Sequence, residues 1–422
     1  MRLIQTFSVY TIVGFLNAGI GFLLLPVLTS FLTPHDYGII SLVNVYVSVL
    51  MPIIGLSTAG LATVEYHNSR LEKREFKKLF SSLRIIPLIG IIPFVIFFVL
   101  GAKFLPPVME LPILAYWLIL PLALLSLFAA NFSSFLITSK KVGLYTSTTI
   151  GRVVGEISIT IILLSWIGLH WDGRIYSALI ATGVVSAVSI LFYKKWDLLS
   201  SDVSKTYVRQ GIIFGLPLIM HQIGKFVINQ SDRLFLAKMV SVEEMGIYSV
   251  GYQIGTVVLI LVTAFSNFFT PFLYERLNKN SQMAKFEIIR VSYIFLGIIL
   301  TALLFLVLCS PFIFRFFIDP TYADGLKYVF WVGLGYFFWA IYTIFSGYIF
   351  YLKKTRILGR VAIANVALNV VFNYFLIGYF GAIGAAYATC LSYLIVAIIM
   401  GITVNRIYPM PWLYFLNRRD LS

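Results

Sequence analysis

Long apolar runs separated by short polar connections follow one another along the whole chain. Windows of about 19 residues predict twelve spans, at 8–30, 39–63, 79–100, 113–138, 150–168, 175–193, 212–237, 246–270, 291–314, 326–351, 357–377 and 382–404. Each is near the ~20 residues a helix needs to cross ~30 Å of hydrocarbon. The pattern therefore predicts an all-α polytopic membrane protein. The first run is longer than the 7–15 residues of a signal-peptide core, and it reads as a retained span. Two connections carry apolar residues at helical spacing: Leu71, Phe76, Leu79 and Phe80 around 64–78, and Met283, Phe286 and Ile289 around 271–290. Both predict amphipathic surface helices. The segment 408–422, with Trp412 and Tyr414 ahead of Arg418 and Arg419, predicts an interfacial foot.

One run breaks the apolar pattern. Within 212–237 stand His221, Gln222, Lys225, Asn229 and Gln230, with Asp232 and Arg233 near the end. His221, Lys225, Asn229 and Asp232 follow steps of four, four and three, which puts them on one helix face. A lysine at the centre of a lipid-facing helix costs about 2.5–3.5 kcal/mol on insertion scales, so this face is expected to meet protein or a water-filled cavity. At 1.5 Å per residue, Lys225 lies about 20 Å into the span, close to mid-bilayer.

The two halves of the pattern repeat. TPHDYGIIS (33–41) returns as SVEEMGIYS (241–249), displaced by 208. FLITSKK (135–141) returns as YIFYLKK (348–354), displaced by 213, and IGLHWDGRIYSA (167–178) as IGYFGAIGAAYA (377–388), displaced by 210. Three anchors in the same orientation predict two parallel six-helix halves, related by an axis along the membrane normal, with the site between them. The expected organisation is an N-terminal half at 1–195, a cytoplasmic linker at 196–210, a C-terminal half at 211–405 and a cytoplasmic interfacial tail at 406–422.

Composition agrees: of 422 residues, 60% are hydrophobic and only 12% charged, against about 25% charged in ordinary globular chains. The net charge of +15 does not imply nucleic acid, because no soluble basic domain is present to bind it. Alternate connections instead hold 25 and 6 of the Lys and Arg residues, with Lys225 inside a span. The positive-inside rule then places both termini in the cytoplasm. Cys309 and Cys390 lie inside apolar runs and suggest neither a disulfide framework nor a metal site.

No paired catalytic carboxylates, metal-ligand spacing or GxxxxGK[ST] loop occurs, so an enzyme is not expected. The candidates are ionisable groups inside spans. Lys225 ranks first, with Asn229 and His221 one turn away on either side; His221 could equally hydrogen-bond a neighbouring helix. Asn17 is the counterpart of Lys225 at the 208 displacement. Asn44, Tyr252 and Gln253 are further cavity candidates. Glu156 and Arg152 form an i,i+4 pair that can neutralise itself, with Glu156 also a possible partner for Lys225. Asp232 and Arg233, near the outer end, are candidates for a gate or a structural pair. Asn365, Asn369 and Asn373 share one face and predict interhelical hydrogen bonding.

At FLTPHDYGIISLVNV, and at ANVALNVVFNYFLIGYFGAIGAAYATCLSY (364–393), the chain resembles the O-antigen and capsule repeat-unit flippases. These are the Wzx-type branch of the multidrug/oligosaccharidyl-lipid/polysaccharide exporter superfamily. The resemblance covers the whole chain and is most specific at 24–48, 240–256 and 364–393. It implies spans 1, 2, 7 and 8 around a central, often cationic cavity. It also implies a substrate, an oligosaccharide on undecaprenyl pyrophosphate, flipped across the bacterial inner membrane by alternating access. A polysaccharide polymerase and chain-length machinery are the implied partners, and no cofactor is implied. Peptidoglycan-precursor flippases carry arginines in span 1 and have fourteen spans. Here span 1 has none, which argues against lipid II as cargo. Two other readings stand beside this one. A cation-coupled small-molecule antiporter would use Glu156 or Asp232, and a structural partner in polymer assembly would transport nothing.

Overall fold

A computed structural model describes residues 19, 21–22, 24–67, 72–279 and 281–412, apart from the side chains of residues 59, 220 and 221. Among the described residues every regular element is helical. By contact the chain forms two units, Met1–Arg233 and Leu234–Ser422.

In the first unit, helical residues 24–31 are followed by α1 (Pro34–Gly55). Thr33 caps it: the Asp36 amide donates to the Thr33 hydroxyl at 3.2 Å, and the Thr33 amide donates to Asp36 Oδ2 at 3.1 Å. That reciprocal box, with Pro34 at the first helical position, explains why TPHD starts a helix. Leu56 and Ser57 have positive φ, 45° and 50°, and divide α1 from α2 (Ala59–Tyr66). Next come α3 (Lys73–Gly90) and α4 (Ile92–Gly101), then α5 (Ile113–Thr138). They are followed by α6 (Val142–Ile161), which ends in a wider π turn at Ile162–Trp166, and α7 (Trp171–Lys195). α8 (Lys205–Met239) contains Pro217, and its segments Lys205–Ile219 and Gln222–Met239 meet at 42°. Proline removes one backbone donor and crowds the preceding turn, which is the usual origin of such a bend.

In this unit the core is aromatic. Phe76 and Phe80 of α3 pack with Phe132 and Phe135 of α5 and Tyr193 of α7. The predicted surface helix around 64–78 is thus in part a core element: Phe76, Leu79 and Phe80 are buried, because α5 and α7 supply aromatic partners that a lipid surface would not. Leu71 lies outside the described residues. The connection after α7 is tied down on α3. Lys77 pairs with Asp197, Lys78 with Asp202 at 2.9 Å, and the amides of Ser200 and Ser204 donate to the Ser81 and Ser82 hydroxyls. The hydrogen bond from Lys77 holds the Asp197 carboxyl below its ordinary range.

The second unit contains α9 (Val242–Gly255), α10 (Val257–Lys279), α11 (Gln282–Phe317), α12 (Leu326–Tyr351), α13 (Thr355–Phe380) and α14 (Ile383–Ile407). α12 and α14 form its middle, with Tyr328, Tyr348 and Tyr393 almost wholly buried. Ala385, Ala386 and Ala388 are completely buried; such small residues let membrane helices approach closely. The segment 271–290 does not form a separate surface helix. α10 continues to Lys279, α11 starts at Gln282, and Arg276 pairs with Glu287 at 2.8 Å across the turn. Trp412 of the predicted foot accepts the Tyr293 hydroxyl on its carbonyl at 2.8 Å; Tyr414, Arg418 and Arg419 lie outside the described residues.

The repeat anchors recur as local structure. Ser241 caps α9 as Thr33 caps α1, accepting from the Glu244 amide at 3.0 Å. α5 and α12 both end in a left-handed lysine, Lys140 (φ 55°) and Lys353 (φ 57°). In each the following amide reaches back five residues, Lys141 to the Leu136 carbonyl and Lys354 to that of Ile349, the Schellman closure. At the third anchor the left-handed residues are Gly168 and Gly381, so the backbone match there is 213 residues, offset by three from the match of letters.

Of the twelve predicted spans, eleven coincide with described helices; the first falls largely outside the described residues. By length and apolarity alone, ten helices could cross a membrane, or eleven with the bent α8.

Candidate functional site

The polar stripe of α8 faces a cavity within the first unit. The cavity measures about 600 Å³ and is open on one side, a size typical of small-molecule sites. α8 contributes Gln222, Lys225, Asn229 and Gln230; α1 contributes Ser48 and Pro52; the break after α1 contributes Ser57; α5 contributes Asn131. The kink at Leu56 and Ser57 turns a serine and Gly60 toward the space that a straight α1 would have closed with apolar side chains. α8 approaches this kink very closely: a Cβ on Gly215 would run into the Leu56 carbonyl oxygen.

Lys225 is exposed in this cavity, and no carboxylate pairs with it among the described residues. The Asn229 amide donates to the Lys225 backbone carbonyl at 2.8 Å, which orients that side chain along the helix and leaves its own carbonyl as an acceptor. Among the described residues the site thus offers one cation, Lys225, with amides and hydroxyls around it. Such a set suits an anionic group attached to a polar, hydroxyl-bearing body.

Other predicted residues are distributed differently. Asn17, and the side chain of His221, lie outside the described residues. Asn44 is exposed on α1 but is not part of the cavity wall. Tyr252 is buried in the second unit, its hydroxyl 2.6 Å from that of Tyr336, and Gln253 is half-buried beside it on α9.

Glu156 is buried and held by two arginines, Arg152 Nη1 at 3.2 Å and Arg174 Nη2 at 2.8 Å. The Thr160 and Ser177 hydroxyls meet beside it at 2.7 Å. Its carboxylate is therefore committed to α6 and α7, and the pairing of Glu156 with Lys225 is not formed. Asp232 Oδ1 accepts from the Arg233 backbone at 2.9 Å and from its guanidinium at 3.1 Å. Arg233 also donates to the Asn229 carbonyl at 3.2 Å, which joins this buried pair to the end of the polar stripe. Asn365, Asn369 and Asn373 are buried; Asn373 donates to Asn369 at 3.0 Å, along the helix.

Three polar residues of the cavity wall are not singled out by the sequence: Ser48, Ser57 and Asn131. Asn131 had a signal, because ANFSSF places three polar residues inside the apolar run of α5. Arg174 had none, since it reads as an ordinary cation of an outer connection.

Comparison with known proteins adds three findings. The family model described as polysaccharide biosynthesis protein matches residues 3–275, and the MatE model matches residues 217–375. An uncharacterized membrane protein of Haemophilus influenzae is 26% identical over 428 residues, covering 99% of this chain and 98% of its own. Among solved structures, the lipid II flippase MurJ in an inward closed conformation gives a TM-score of 0.74 at 16% identity, covering 95% of this chain and 87% of its own. An inward-facing multidrug resistance MATE family transporter of the MOP superfamily gives 0.71 at 14%, covering 94% of each. At these identities the two structures speak for the fold.

Proposed function

The chain belongs to the polysaccharide biosynthesis protein family, and from that premise we propose that it works as a flippase. In this reading the cargo is an oligosaccharide repeat unit of O-antigen or capsule on undecaprenyl pyrophosphate. The protein moves it by alternating access from the cytoplasmic to the outer leaflet of the bacterial inner membrane. Both termini are cytoplasmic, spans 1, 2, 7 and 8 surround the path, and no bond of the cargo is made or broken. Polymerase and chain-length machinery would take the unit on the far side.

The observation that carries this reading is Lys225, a cation in a polar cavity with no acid beside it. A pyrophosphate in a medium of low dielectric needs a positive partner, and the sugars need the amides and hydroxyls that Gln222, Asn229, Gln230, Ser48 and Ser57 provide. An acid beside Lys225 would have cancelled that attraction.

A cation-coupled antiporter is the second reading, favoured by the MatE match over 217–375. Its carboxylates would have to be Glu156 or Asp232, and both are held by arginine. The test is surface polysaccharide in cells that express Lys225→Ala or Lys225→Arg at equal levels. Alanine is expected to abolish surface polymer with the lipid intermediate accumulating, and arginine to retain much of it. Full polymer with alanine rejects the role of Lys225, and protection against cationic dyes without a polymer defect on deletion selects the antiporter.

A further inference from the structure

A second cation of the first unit also lacks an acid. Arg84 lies on α3, one turn past Ser81 and Ser82, which hold the connection after α7. Lys77, Lys78, Lys141 and Lys195 cluster at that end, Lys141 over the ring of Trp196 and Lys77 on Asp197. Arg84 is therefore within about two turns of Lys77 and Lys78 at the basic end of the unit. Its guanidinium sits 4.3 Å from the ring centre of Tyr193 and 5.5 Å from that of Phe128. No carboxylate pairs with it among the described residues. Tyr193 also shares a side-chain hydrogen bond with the guanidinium, and a guanidinium carries five N–H donors in a fork that matches two oxygens of a phosphate.

Two hollows meet at this residue. One is a groove of about 540 Å³ between α3, α5 and α7, walled by Leu88, Leu125, Phe128, Gly183 and Ile190. Leu88 is 50% and Ile190 42% exposed, so the groove opens on the apolar flank of the unit. The other is a small hollow of about 40 Å³ lined by Phe128 and Asn131, and Asn131 also walls the Lys225 cavity. Phe128 and Asn131 are three residues apart and share a face of α5. Asn131 thus stands between the hollow at Arg84 and the Lys225 cavity, inside a single unit.

An apolar groove ending at an unpaired cation is complementary to a lipid with a phosphate at its head. We propose that Arg84 is the loading point of the flippase: it takes the diphosphate of the lipid-linked cargo while the start of the polyprenyl chain lies in the groove. Lys225 receives the diphosphate next. The inference rests on the flippase reading and adds to it a second phosphate contact and the side from which the lipid arrives. Arg84 stacks on Tyr193 and Phe128 and shares one hydrogen bond with Tyr193, and no acid neutralises the charge it offers to cargo.

The experiment measures binding, not transport. Purified full-length protein is titrated with a polyprenyl diphosphate, and separately with phosphatidylglycerol, by native mass spectrometry. Wild type is compared with Arg84→Gln, Arg84→Lys, Gly183→Leu and Gly183→Ala. A Cβ at Gly183 meets only Leu125, at 3.7 Å, so alanine fits and leucine fills the groove. Arg84→Gln is expected to weaken polyprenyl diphosphate about tenfold, the scale of one charge-assisted contact. Arg84→Lys should lose less, Gly183→Leu about as much, and Gly183→Ala nothing, with phosphatidylglycerol unaffected throughout. Unchanged binding by folded Arg84→Gln, or an equal loss for phosphatidylglycerol, overturns the assignment. Should Arg84→Gln fail to fold, unchanged binding by Gly183→Leu overturns it. Failure of the flippase reading looks different: wild-type protein has no affinity for the polyprenyl diphosphate, and deletion leaves surface polymer intact.

Discussion

Glu156 and Lys225 are both charges inside spans, and their surroundings differ: one is paired with two arginines and the other lines a polar cavity. Each oxygen of Glu156 meets one arginine, and the group is 4% exposed. Its neutralisation leaves Arg152 and Arg174 without the carboxylate that both of them pair with. Glu156→Gln is therefore expected to destabilise the protein by about 3 kcal/mol, at the lower end for breaking a buried ion pair. The measurement is the thermal unfolding midpoint in detergent, and a wild-type midpoint would release Glu156 for a transport role. The Arg152–Glu156 half of this network is visible in the sequence, because four residues on a helix bring two side chains together. Arg174 is 18 residues away and joins only when α6 and α7 pack. Lys225 was legible for a related reason: a lysine in an apolar run is costly wherever its neighbours are. The serines around it were not, since a serine in a span ordinarily bonds its own helix, as Ser48 does with the Val45 carbonyl at 2.7 Å. Tyr252 looked like a cavity residue because its partner, Tyr336, is 84 positions along the chain.

At the scale of elements, the cavity depends on where α8 touches the break between α1 and α2. Gly215 makes that contact possible, and the atom it would strike is a backbone oxygen that cannot move aside. Gly215→Ala should therefore lose folded protein, read as recovery of a monodisperse peak by size exclusion. Gly155→Ala on α6, where nothing lies within 4 Å, should instead gain up to about 1 kcal/mol from helix propensity. Equal behaviour of the two variants would show that α8 does not rest on the kink. Hydropathy found these helices because crossing a membrane demands long apolar runs; the bounds 113–138 and 326–351 coincide with α5 and α12. It did not find the break at Leu56, where a leucine and a serine take left-handed backbone that L residues adopt only under packing. It also misread 64–78, because an aromatic stripe looks alike whether lipid or the rings of α5 and α7 cover it.

For the whole molecule, the direction of transport rests on which end is cytoplasmic, and the structure turns a count of charges into a physical surface. In the first unit Lys77, Lys141 and Trp196 come together at one end, far along the chain from one another. In the second unit Arg276 pairs with Glu287, Lys285 lies over Tyr408, and Tyr351 donates to Asn278. Within each unit, then, the connections that carry the cation excess converge, as the positive-inside rule requires of a cytoplasmic face. Single cysteines placed at Lys195 and Lys354, in a chain whose Cys309 and Cys390 are replaced by serine, are expected to react with an impermeant maleimide only after the inner membrane is opened. Cysteines at Lys103 and Asp324, both exposed on the opposite connections, should react in intact spheroplasts. The reverse pattern would put Arg84 in the outer leaflet, where it could release a flipped lipid but not load one, and a mixed pattern within either unit would contradict the convergence of its basic connections.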